Sequence, residues 1–171
     1  MSFDLTSPRL VLAGNAYGEC SGGGRPGMEN VTSVVLQRLA DGWEPTPIAV
    51  CLAPAQFSCW SDVNRARIEE AHRADPTGWA LALEIADEAL AGRLPMRTCG
   101  ADSYYALSME QPAWWARAPA RHVYSDRWHA FWTVRPQASA ARGVAAAGNA
   151  TDMDTIMSMP AAAPASAGDR A

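Results

Sequence analysis

Glu19 is the residue around which a reaction could be built. It closes Tyr17-Gly18-Glu19 and is followed by Ser21-Gly22-Gly23-Gly24. Leu5, Leu12, Ala16 and Glu19 recur at helical spacing, so the carboxylate is expected near an apolar stripe, beside a glycine loop. Desolvation disfavours the charged form, so an acid so placed is expected to keep its proton near neutral pH and to donate it to a leaving oxygen. The competing expectation is a carboxylate that ends a helix and points to water. A second constellation is aromatic: Trp60, Tyr104, Tyr105, Trp114, Trp115, Trp128 and Trp132 share one half of the chain with Gln56, Ser58, His122 and His129. Sugar rings stack on such faces, although core burial is the commoner use of large rings. Trp114-Trp115 is the exception, because neighbours on a regular element cannot both face inward, and one of them is expected in a cleft or in solvent.

A thiol offers different chemistry. Cys20, Cys51 or Cys59 with His122 or His129 would make a thiol peptidase, in which imidazole activates a thiolate. Against it, Cys20 stands at a helix end rather than a start, where the dipole raises a thiol's pKa and blunts the nucleophile. The four cysteines (Cys20, Cys51, Cys59, Cys99) include no pair at zinc-knuckle or redox spacing, so no metal is expected. Reduced thiols are the default, and four cysteines allow three full pairings if the protein meets an oxidising space.

The elements that must position these groups read as helices followed by a small sheet. Ser7-Pro8 is a cap followed by Pro at the first helical position, opening a helix over 8–19. The glycine loop separates it from a second helix over 26–40, with Met28, Val31, Val35 and Leu39 inward and Gly42 as its stop. A short helix is expected over 46–52, a loop over 56–60, and two further helices over 63–73 and 76–91. The last should present Trp79, Leu83, Ala86 and Leu90 on one face. From Cys99 the pattern becomes aromatic and β-branched: Tyr104-Tyr105-Ala106-Leu107, His122-Val123-Tyr124 and His129 to Val134, with Ser125-Asp126 as turn formers. An α+β fold results, mainly helical with a small C-terminal antiparallel sheet.

Composition bounds the rest. The 171 residues suit one domain over 1–135; over 136–171 the chain is mostly Ala, Ser, Gly and Pro without an aromatic residue, which predicts a disordered tail. Asp152 to Met159 carries three Met and one Ile, enough for a transient helical turn only. The net charge of −4 lacks a nucleic-acid binder's footprint, although the six Arg from Arg93 to Arg135 outnumber Asp102, Glu110 and Asp126 by three. That part could meet an acidic polymer. All 14 basic residues are Arg, which removes Schiff-base and P-loop chemistry. No stretch approaches the roughly 18 to 20 apolar residues of a membrane span, and the N-terminus has no signal-peptide pattern, so cytoplasmic synthesis without an export address is expected.

The order of motifs resembles the spore-cortex-lytic cell wall hydrolase family (SleB-like catalytic domain) over about residues 10–135. The residues that carry it are Tyr17-Gly18-Glu19 with the glycine loop, Gly27-Met28, Val34-Val35-Leu36, Arg38, Gln56-Phe57-Ser58-Cys59-Trp60, and Ala89 to Pro95. Gly100-Ala101, Pro112 with Trp114-Trp115-Ala116-Arg117, and His129-Ala130-Phe131-Trp132 complete it. The resemblance implies a lysozyme-like fold and a lytic transglycosylase acting on peptidoglycan glycan strands, with Glu19 as sole acid and base. Such an enzyme protonates the oxygen joining N-acetylmuramic acid to N-acetylglucosamine and closes a 1,6-anhydro ring with the muramyl 6-hydroxyl. The resemblance further implies that Gln56, Ser58 and Tyr104 line the cleft, that Trp115 supports a sugar, and that His129 binds substrate, with no cofactor.

Three places depart from the family pattern: Gly23 where relatives often carry a second Glu, Ser103 where they often have His, and His129-Ala130-Phe131-Trp132 for the commoner His-Val-Phe-Tyr. A phage-type endolysin, monomeric, held in the cytoplasm and then acting on the periplasmic or extracellular wall, is expected. Partners other than the wall, nucleic acid and membrane among them, are not. The alternatives are a hydrolysing muramidase, a non-catalytic peptidoglycan-binding protein, and a Cys/His peptidase or amidase.

Overall fold

In a computed structural model, the described residues are 3–113 and 115–135; Trp114, the tail expected over 136–171 and the turn expected within it lie outside them. The element order is α1 (Pro8–Cys20), a 3-10 turn (Ser21–Gly23), α2 (Gly24–Ala40), α3 (Pro47–Leu52), a second 3-10 turn (Ser58–Trp60), α4 (Asp62–Ala74), α5 (Pro76–Leu90), β1 (Ser103–Ala106), β2 (Arg121–Ser125) and β3 (His129–Thr133). This is an α+β fold with a mainly helical body. No described helix is long and apolar enough to cross a membrane.

Three helices start by one device. Ser7, Thr46 and Asp75 each accept a backbone N–H with the side chain, from Leu10 (3.3 Å), Ala49 (3.1 Å) and Gly78 (2.9 Å), and each is followed by a Pro whose missing N–H costs a first turn nothing. α1 packs against α2, α3 and α5 through Val11, Leu12, Ala13, Ala16 and Tyr17. The fully buried face of α5 is Ala82, Ile85, Ala86 and Ala89, about one position from the face expected; Trp79, Leu83 and Leu90 are half-buried at its edges. Small residues at the centre let α1 and α5 approach closely, and the large ones close the flanks. Residues 56–60, expected as a loop, contain the Ser58–Trp60 turn.

α2 is the central helix. One side joins the helical core through Met28 and Val35; Val34 packs against the sheet with Ala101 and Phe131. The sheet is antiparallel in the order β1-β3-β2, pairing Tyr104 with Phe131 and Ala106 with His129, and β2 carries an irregularity between His122 and Tyr124. Asp126, in the turn between β2 and β3, accepts the Trp128 and His129 N–H groups at 2.7 Å with one oxygen and the Asn30 amide of α2 at 2.9 Å with the other. One carboxylate therefore shapes the hairpin and fastens it to the helical body.

Candidate active site

Glu19 occupies the last turn of α1, half-buried, where α1, the Ser58–Trp60 turn and β1 meet. Three donors converge on it. Oε1 accepts the Cys59 backbone N–H at 2.8 Å and the Ser58 hydroxyl at 3.1 Å; Oε2 accepts the Tyr104 hydroxyl at 2.9 Å. A carboxylate oxygen has about two lone-pair sites, so Oε1 is fully used and Oε2 keeps one free. The side chain is neither aimed into the core nor waving in solvent; it is pinned at a wall.

The approach that makes this possible rests on Gly18. A Cβ at that position would stand 2.5 Å from Cys59 Cβ, so only glycine lets the Ser58–Trp60 turn come close enough to donate. Asn15, one helical turn before Glu19, secures the same turn from beneath: its Oδ1 accepts the Trp60 indole N–H at 2.9 Å and the Cys59 thiol at 3.8 Å, in full burial. On the sheet side, Tyr104 sits edge-on to His129 with ring centroids 5.0 Å apart, and tilted against Phe57 and Phe131. Burial and the neighbouring Glu19 charge push the Tyr104 hydroxyl well above its ordinary pKa, so it remains a donor at every physiological pH.

Two cavities share this wall. The larger, about 660 Å³, is lined by Glu19, Gln56, Ser58, Tyr104, Trp115 and His129, together with Arg38, Phe57, Trp60, Tyr105 and Met109. All six residues singled out from the sequence thus border one cleft. Trp115 reaches it braced edge-on by Tyr105 at 6.1 Å. The second cavity, about 510 Å³, is lined by the Ser21–Gly23 turn, Arg67, Leu107, Arg127 and Trp128, and shares Gly18, Glu19, Ala106 and His129 with the first. Among the described residues, Glu19 is the one carboxylate that borders either. At Gly23 a Cβ would meet Cys20 Sγ at 2.6 Å and Trp128 Cδ1 at 3.2 Å; the space that a larger residue would need is taken by an indole.

Arg38 and Asn15 escaped the sequence reading as site residues. Arg38 is buried, donates from Nε to the Asp102 carbonyl at 2.6 Å and lies over the rings of Trp43 and Phe57 at 4.7 and 4.9 Å, so it props the cleft floor against the base of β1. The available signal for Asn15 was its spacing: Asn15 and Glu19 are four apart on a helix that is otherwise apolar there. His122 lies away from the cleft, bonded to Ser125 at 2.8 Å and edge-on to Trp132.

Three of the thiols, those of Cys20, Cys51 and Cys59, are buried. All four cysteines are free. Cys20 Sγ lies 4.0 Å from His129 Nδ1, yet burial pushes the thiol up to about 11 and pushes the imidazole below its ordinary value, so the pair rests as S–H and neutral ring. Burial raises Cys51 and Cys59 further. Among the described residues, no group of three or more His, Cys, Asp or Glu is placed to hold a metal ion.

The family model described as Cell Wall Hydrolase matches residues 22–132. No curated protein and no solved structure matches the chain. The matched segment contains Gln56, Ser58, Tyr104, Trp115 and His129, and Glu19 stands just ahead of it, delivered by α1 to donors that the segment supplies. A match over well over half of the chain, covering every wall of the cleft except α1, makes this protein a member of the Cell Wall Hydrolase family.

Proposed function

We propose that the protein is a peptidoglycan lytic transglycosylase with Glu19 as its single acid and base. The family implies a peptidoglycan substrate. What supports the finer reading is that, among the described residues, Glu19 is the only carboxylate on either cavity. Glycoside hydrolysis usually takes two carboxyl groups about 5 to 9.5 Å apart, one as acid and one as nucleophile or base. A single carboxylate suits a reaction that consumes no water.

The glycan strand runs past Glu19 from one cavity to the other, with the scissile bond at their shared wall. Oε1 is held by Ser58 and Cys59, so the transferable proton sits on Oε2, oriented by Tyr104. It passes to the glycosidic oxygen as the bond from that oxygen to muramyl C1 breaks, and the N-acetylglucosamine hydroxyl leaves. The muramyl 6-hydroxyl then bonds to C1 and returns its proton to Oε2, which closes the 1,6-anhydro ring and resets the acid. Trp115 and Trp60 give the rings apolar faces, and Gln56 gives their hydroxyls a polar partner.

Purified sacculi incubated with the protein are expected to yield anhydro-muropeptides, each lighter by one water than the reducing-end product. Glu19→Gln should abolish release while the circular dichroism spectrum and melting temperature hold. Reducing-end muramyl products would instead make the enzyme a muramidase. Binding to sacculi without soluble products would make it a wall-binding protein, and loss of activity on thiol alkylation would point to Cys20.

A further inference from the structure

Asn15 borders neither cavity and is 1% exposed, so a ligand in either cannot reach it. An indole N–H can only donate, so the group that faces Trp60 is the Asn15 oxygen, which accepts Trp60 Nε1–H at 2.9 Å and the Cys59 thiol at 3.8 Å. The amide nitrogen Nδ2 is buried and meets no partner among the described residues. The hydrogen bonding of Asn15 therefore runs through its oxygen, and what that oxygen holds is the Ser58–Trp60 turn. The turn has two parts at the cleft: the Cys59 backbone N–H donates to Glu19 Oε1 at 2.8 Å, and the Trp60 ring borders the larger cavity. α1 is shaped to receive it. A Cβ on Gly14 would stand 2.8 Å from Trp60 Cη2, and the Phe3 ring lies tilted against Trp60 with centroids 5.9 Å apart. Residues 3, 14 and 15 all precede the segment that the family model matches.

Glu19 also bonds to the turn, but its hold cannot be constant. A reaction that uses it as acid and then as base takes the carboxyl group through a neutral and a charged state, and a hydrogen bond to the charged state is roughly twice as strong. The amide of Asn15 does not titrate, so its oxygen accepts equally in both states. Resting on the transglycosylase reading, we propose that Asn15 is a positioning residue that keeps the Ser58–Trp60 turn in one place through both charge states of Glu19. The Cys59 N–H then meets Oε1, and the Trp60 ring keeps its place at the cleft, before and after the proton moves. Donors fixed in advance stabilise a changing charge without reorganising, and that is where such an anchor acts on the rate.

The test follows the turn itself, by heteronuclear NMR of the nitrogen-labelled full chain, with Glu19→Gln as the uncharged state. Two signals report: the Trp60 indole N–H, and the Ser61 amide, which closes the turn by donating to the Ser58 carbonyl at 3.2 Å. With Asn15 in place, both are expected to hold their positions on Glu19→Gln. In an Asn15→Leu background, which keeps the bulk and removes the acceptor, both should move on Glu19→Gln. Signals that move with Asn15 present, or that stay put with Asn15→Leu, overturn the proposal. Should Asn15→Leu fail to fold, Trp60→Phe deletes the same bond from the donor side, and the Ser61 amide is expected to move on Glu19→Gln in that background. Well below the melting temperature, Asn15→Leu should lower kcat on soluble glycan strands on the order of 10-fold, with a smaller change in KM. A lower melting temperature with kcat unchanged would make Asn15 merely structural and overturn the proposal as well. Product analysis with the unsubstituted enzyme reports separately on the transglycosylase reading: reducing-end products sink that reading, while the NMR comparison needs no substrate and still decides the part of Asn15.

Discussion

Tyr104 and His129 flank the proposed acid, one as a donor to Glu19 and one edge-on to that donor. Tyr104→Phe deletes the donor to Oε2 and leaves the ring packing against Phe57 and Phe131. A hydrogen bond to a charged group is worth about 1.5 to 3 kcal/mol, so sacculus digestion should slow about 10- to 100-fold with little change in melting temperature. His129 reports through stability. Burial holds its imidazole below the ordinary 6.5, against the pull of Asp126 and Glu19. The unfolded chain therefore binds a proton that the folded chain refuses. The stability from this group is complete above about 6.5 and is lost as pH falls from there toward the folded value. Urea midpoints between pH 7 and pH 5 should fall less in His129→Asn than in the unsubstituted protein. Chemistry at this scale was partly legible: Glu19 stood out as a carboxylate at the end of an apolar helix, and the Tyr17-Gly18-Glu19 resemblance made it the choice. Asn15 and Arg38 did not, because each becomes buried only through partners 45 and 64 residues away, Trp60 and Asp102.

At the scale of elements, the close approach of α1 to the Ser58–Trp60 turn is the contact that sets the site. Gly18→Ala would place a Cβ 2.5 Å from Cys59 Cβ, costing about 1 to 3 kcal/mol and moving the Cys59 N–H away from Glu19. A lower melting temperature together with reduced activity is expected. Gly22→Ala, with open space around its Cβ, should leave the melting temperature where it is. Helix starts were readable from sequence because Ser7-Pro8, Thr46-Pro47 and Asp75-Pro76 act locally. The face of α5 expected from the sequence does pack on the core, but its fully buried centre lies about one position away, because bulk is an uncertain sign of full burial. Alanines in fact occupy the tightest contact, and Trp79 and Leu83 close its margins. The strands were identifiable from their aromatic and β-branched residues, whereas the order β1-β3-β2 depends on pairings between distant segments.

For the whole molecule, both cavities and every donor to Glu19 lie between residues 18 and 129. A chain ending at Arg135 is therefore expected to digest sacculi at the rate of the full chain and to melt at the same temperature; a lower rate would assign residues 136–171 a part in wall recognition. The sequence foretold one helical body with a closing sheet, and it could not foretell a second cavity that shares Glu19 with the first, since Arg67, Trp128 and the glycine turn meet only in three dimensions. The three donors that hold Glu19 are drawn from a 3-10 turn and a strand, while the acid itself belongs to the first helix. Anyone grafting this unit onto a different targeting module must consequently transplant it whole: a fusion boundary placed between residues 19 and 104, however well each fragment behaves, would part the Glu19 carboxylate from the groups that hold it.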